Sequence, residues 1–153
     1  MSRIYLESGY LNIHELLSRS LPFNFAVGGR GTGKTYGSLV ECLEEKRTFL
    51  FIRRTQAQAD IVTRPEFSPF KRICEDRNLN ITCSSVTKYN SAFYYFKVNE
   101  DGKQIPDGKP IGYSAALSTF SNIRGFDASD VDLMIFDEFI PERHERPIKN
   151  EFE

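Results

Sequence analysis

The chain has 153 residues, enough for one domain. Hydrophobic residues make up 40% of it, which supports a buried core, and the formal net charge of −1 excludes an overall basic field for nucleic acid. Three cysteines (Cys42, Cys74, Cys83) form no CxxC pair, and His14 and His144 lie far from them in sequence. The expectation is reduced, partly buried thiols and no zinc site.

The segment from Met1 to Tyr10 has no apolar h-region, and no apolar run approaches the length of a membrane span. A cytoplasmic protein without membrane partners is expected. Asn12 with Glu15 three residues on has the pattern of a capping box opening a short helix. Leu21 to Val27 is mostly apolar and reads as a strand. Gly28 to Gly33 is a glycine-rich loop. Lys34 to Glu45 then places Tyr36, Leu39, Val40 and Leu43 at helical spacing, and Thr48 to Ile52 reads as the next strand. Strand, loop, helix, strand is a βαβ unit.

Residues 53–77 are polar and basic, with a helix predicted to start at Ser68-Pro69, a cap followed by proline. Strand-like runs follow at Asn80–Ser84, Ala92–Val98 and Ile111–Leu117, with turns at Asp101-Gly102 and Asp107-Gly108. Val131 to Phe136 is an apolar run broken only by Asp132, the look of a buried parallel strand, and it ends in Asp137-Glu138. The predicted fold is α/β, with a mostly parallel sheet flanked by helices and an antiparallel insert between residues 80 and 117.

Gly28-Gly29-Arg30-Gly31-Thr32-Gly33-Lys34-Thr35 fits G-x-x-x-x-G-K-[ST]. Glycines let the backbone curl until several N–H groups point at one phosphate. The helix that follows brings its positive N-terminal end to the same place. Lys34 can reach the β- and γ-phosphates of ATP, and the Thr35 hydroxyl can ligate Mg²⁺. Such a site needs an acidic partner for the metal, and Asp137 is carried to the carboxyl end of its strand, where ligands bind in open α/β sheets. Glu138 beside it is placed to polarise an attacking water as general base, which favours hydrolysis over plain binding.

At these residues the chain resembles phage terminase large subunits and packaging ATPases. The glycine-rich loop with its internal Arg30 resembles theirs. Phe49-Leu50-Phe51-Ile52-Arg53-Arg54 resembles the strand with trailing arginines that follows it, and Phe136-Asp137-Glu138-Phe139-Ile140 is similar to the acidic motif of small-podovirus packaging ATPases. The resemblance spans roughly residues 20 to 142. It implies a P-loop fold of the ASCE type, a homo-oligomeric ring around double-stranded DNA, and docking on the portal of an empty procapsid in the infected host's cytoplasm. It also implies a γ-phosphate role for an arginine, either Arg30 in cis or one from a neighbouring subunit. As a plain loop residue, Arg30 would instead pair with a nearby acid.

Family members continue past the acidic motif with a further strand carrying a coupling motif, more arginines and a nuclease-like domain. The expectation for residues 1–153 is therefore an ATPase domain incomplete at its C-terminus and lacking the nuclease-like part. The function expected is ATP hydrolysis driving viral DNA into a procapsid. Two rivals stand beside it: a module of another ATP-driven DNA enzyme, such as a helicase or loader, and an ATP-binding interaction domain without turnover of its own. Arg53, Arg54, Arg64, Lys71, Arg72 and Arg77 form a basic window that could meet DNA phosphates, although Asp60, Glu66, Glu75 and Asp76 favour a solvated mixed-charge surface. Tyr5 and Tyr10 could stack on adenine, but packing is the better reading.

Overall fold

The structure, a computed structural model, describes residues 4–123, 126–141 and 148. His144 lies outside them. Helix α1 (Ile13–Leu17) is capped by the Asn12 side chain, which accepts from the Glu15 N–H. Helix α2 (Lys34–Glu44) follows the glycine-rich loop, and strand β1 (Phe49–Arg53) follows the helix. Helix α3 (Gln56–Ile61) was not legible in the polar stretch. It opens with a full capping box in which Thr55 and Gln58 satisfy each other's backbone N–H. Helix α4 (Lys71–Arg77) starts later than the Ser68-Pro69 signal, because Ser68 spends its hydroxyl on the Phe70 N–H in a preceding turn.

Strands β2 (Ile81–Ser85), β3 (Asn90–Val98), β4 (Gln104–Pro106), β5 (Gly112–Ala116) and β6 (Leu133–Phe136) complete one sheet of order β2-β3-β5-β1-β6, with β4 paired to β3. Its centre is parallel: β1 lies between β5 and β6. The antiparallel part comprises β2, β3 and β4, and β3 joins the centre by pairing with β5. Two expectations need correction. The run Ile111–Leu117 belongs to the parallel centre and not to the insert. The run Leu21–Val27 is not a strand: Phe23, Phe25 and Val27 are exposed and pair with nothing in the sheet. An isolated segment cannot satisfy its backbone as a strand without a neighbour, and β6 has only β1 beside it among the described strands.

The main core lies on one face. Phe49 and Phe51 of β1 and Phe93 of β3 meet Leu39, Val40 and Cys42 of α2, Ile73 of α4, and Phe70. Phe49, Phe70 and Phe93 pack ring to ring at 5.2–5.7 Å. The opposite face, built on Leu50, Ile52 and Ala115, is covered by Leu117, Ile123, Phe126 and Val131 from the connection into β6. Burial pushes the thiols of Cys42 and Cys83 up to about 12, in keeping with the partly buried thiols expected from the sequence.

Candidate functional site

The loop Gly28–Gly33 runs into the N-terminus of α2. Gly31 and Gly33 both have φ of +79°, where a side chain is strained, and Gly33 is the left-handed N-cap of the helix. A Cβ on Gly33 would also meet the Tyr10 ring at 2.9 Å. The lead-in therefore props the loop from outside: Tyr10 packs there and against Tyr36, and the Leu11 N–H donates to the Thr32 carbonyl at 3.0 Å. Tyr10 is thus engaged in packing while 45% exposed, and Tyr5, also exposed, forms an isolated bridge with Leu11.

Lys34 folds back into the curl. Its Nζ donates to the carbonyls of Gly28 (2.9 Å) and Gly29 (2.8 Å) and to Thr32 Oγ1 (3.1 Å). Those contacts hold an ammonium at the centre of the loop. Arg30 is exposed and pairs with no acid among the described residues.

Across from the loop, the Thr35 hydroxyl donates to Asp137 Oδ1 at 3.0 Å, joining residues 102 apart in sequence. The parallel register explains the meeting. Ile52 faces Phe136, and the ladder continues with the Asp137 N–H donating to the Ile52 carbonyl. The carboxyl ends of β1 and β6 thus emerge side by side, next to the start of α2. The same register puts Arg53 against both acids, with Nη2 3.4 Å from Asp137 Oδ2 and Nη1 donating to Glu138 Oε2 at 2.7 Å. Glu138 has φ of +55°, a left-handed turn that swings its side chain back toward Arg53.

Two corrections follow for the basic window. Arg53 is committed to the acids. Arg54 is only 1% exposed and reaches the Phe139 carbonyl at 3.4 Å, so neither belongs to a solvated basic surface. Arg72 pairs with Glu75 and Asp76, and Arg77 with Glu44, which leaves the mixed-charge surface that the neighbouring acids favoured. The sequence did flag Arg53 and Arg54 as a motif, but it carried no register, and register is what makes Arg53 the partner of Asp137 and Glu138.

The profile of the podovirus DNA encapsidation protein (Gp16) family matches residues 6–152. The chain belongs to this family. Two solved structures share the fold of this Gp16-family chain. One is titled "The bacteriophage Phi-29 viral genome packaging motor assembly", with TM-score 0.62 and 24% identity over 94% of this chain. The other is "The Phi-28 gp11 DNA packaging Motor", with TM-score 0.50 and 23% identity over 86% of it. The Gp16-family chain spans 39% and 40% of those two chains. No curated protein matches the sequence. No described helix is long and apolar enough to cross a membrane.

Proposed function

We propose that the chain is the ATP-hydrolysing part of a packaging motor of the ASCE P-loop type, which drives double-stranded viral DNA through the portal into a procapsid. The observation that carries this reading is the Thr35–Asp137 contact. Mg²⁺ holds its oxygen ligands at about 2.1 Å, so neighbouring ligands sit about 3 Å apart, and the two oxygens lie 3.0 Å from each other. Thr35 and Asp137 fit as the protein's ligands to that ion, which would neutralise the β- and γ-phosphates of ATP when bound.

The remaining residues divide the work. Backbone N–H groups of Gly28–Thr35 and the N-terminus of α2 cradle the phosphates. Lys34 turns its ammonium from the loop carbonyls to the β- and γ-phosphates. Arg53 supplies the positive charge that lets two carboxylates stand together, and it orients Glu138. Glu138, held on its turn, takes the proton of the attacking water. The charge that develops on the γ-phosphoryl group needs an arginine; Arg30, exposed on the loop, serves in cis, or a neighbouring subunit of a ring supplies one. The family and the two motor assemblies with this fold support packaging over the helicase and loader readings.

The test is packaging by the complete motor: ATP-dependent protection of DNA from nuclease inside procapsids, with ATP turnover measured in parallel. Wild-type protein should do both, and Lys34→Ala and Glu138→Gln neither. Packaging that persists in either variant would refute the assignment.

A further inference from the structure

A second cluster of metal-ligating side chains lies at the far end of α2 from the loop. His14 of α1, Glu41 of α2 and Glu45 at the end of α2 each bring one ligand atom within 4.8 Å of the others. His14 Nδ1 lies 2.9 Å from Glu41 Oε1. Glu41 is 5% exposed, whereas His14 and Glu45 are open to solvent. We propose that His14, Glu41 and Glu45 form a binding site for a borderline transition-metal cation, Zn²⁺ being the best fit, that fastens α1 to the P-loop helix.

Three observations support it. The first is distance. Bonds of about 2.0–2.2 Å from one ion to an imidazole nitrogen and a carboxylate oxygen place the two ligands roughly 3 Å apart, the separation already present. The second is charge. Glu41 and Glu45 stand at i,i+4 on one helix face, where like charges repel; the buried Glu41 is partnered by the His14 imidazole, and a cation held by all three side chains would offset the repulsion of the two carboxylates as well. The third is packing. Ile13 is buried against Gly37, where a Cβ would meet Ile13 Cγ1 at 2.9 Å, so α1 lies close on α2 at this point. The imidazole selects the class of ion: nitrogen with carboxylates suits Zn²⁺, whereas the oxygen-only pair Thr35 and Asp137 suits Mg²⁺. The sequence argued against a zinc site because the cysteines were remote; the fold supplies glutamates in their place. Occupancy would also steady the loop, because residues just before α1 hold it through Leu11 and Tyr10.

The experiment is titration of Zn²⁺ into the nucleotide-free chain in millimolar Mg²⁺, followed by calorimetry, for wild type, His14→Ala, Glu45→Gln and Asp137→Ala. One site is expected in wild type and in Asp137→Ala, with affinity lower by at least about tenfold in His14→Ala and in Glu45→Gln. No binding by wild type, or unchanged affinity in either of the two cluster variants, overturns the proposal. Two readouts guard against misfolded variants and against the thiols. In His144→Ala, where His14 is the sole histidine, the imidazole NMR signals must shift as Zn²⁺ is added. Co²⁺ in the same site must show no thiolate charge-transfer band; a static imidazole or a thiolate band assigns the ion elsewhere.

Discussion

Replacing Lys34 with alanine removes the one ammonium inside the glycine-rich loop. That group is held by three acceptors at 2.8–3.1 Å, from Gly28, Gly29 and Thr32. When ATP arrives, the same charge should exchange carbonyls for phosphate oxygens. One unit charge pair at 4 Å in a partly solvated site contributes about 4 kcal/mol at an effective dielectric constant of 20. Part of that is offset by the carbonyl contacts given up, each about 1.5 kcal/mol or more for a charged donor. The net loss on Lys34→Ala is therefore about 1–4 kcal/mol, the lower figure if both carbonyl contacts are given up and the upper if neither is, or roughly 5- to 700-fold in Kd at 1.4 kcal/mol per decade. Titration calorimetry with ATP·Mg²⁺ measures it, and thermal denaturation of the nucleotide-free protein is the control. Any drop in the thermal midpoint reports what the three loop contacts contribute to stability, since the side chain is not part of either core. Affinity within about twofold of wild type would show that Lys34 does not face phosphate, and the proposed site would fall with it.

The two acids should separate. Asp137→Ala should weaken nucleotide binding in Mg²⁺ but not in EDTA, whereas Glu138→Gln should bind normally while single-turnover hydrolysis in the complete motor falls by about 10²-fold or more; the reverse pattern would exchange their roles. Gly33→Ala should destabilise the protein by at least about 1–2 kcal/mol from its left-handed backbone alone, with further loss from the clash with Tyr10; a chemical-denaturation curve matching wild type would show that the loop relaxes freely. The Glu41 hydrogen bond raises the His14 pKa above its ordinary 6.5. In metal-free buffer its stabilisation should be complete below about pH 6.5 and lost as pH rises through the raised value, a dependence that thermal melts of His14→Ala should lack. The 153-residue chain taken alone should bind ATP·Mg²⁺ yet hydrolyse it slowly, since an arginine supplied in trans contributes about 10³–10⁵ in rate and, among the described strands, β6 pairs with β1 alone. Fast turnover that does not depend on protein concentration would refute this.

Local chemistry was legible in the sequence. The glycine spacing announced a curled loop; the structure adds that the positive φ falls at Gly31 and Gly33, where only glycine avoids strain. The apolar spacing of Leu39, Val40 and Leu43 gave α2, because burial leaves a periodic mark on sequence; the run Leu133–Phe136 gave β6 as a parallel strand but not the buried one expected, since Met134 and Phe136 stand exposed. Those local signals were also enough to nominate Lys34, Thr35, Asp137 and Glu138. They failed at Leu21–Val27, where an apolar run has strand character but no neighbour to complete its hydrogen bonds. Strandness there is a property of a pair of segments, and one segment cannot announce it. Register was equally out of reach. Only the alignment of Ile52 with Phe136 brings Arg53 to Asp137 and Glu138 and sends Arg54 into the interior. In the same way, only the packing of α1 on Gly37 carries His14 to Glu41, a residue 27 positions away. Long-range electrostatic partnerships depend on distances in space, which tertiary packing sets and sequence order does not.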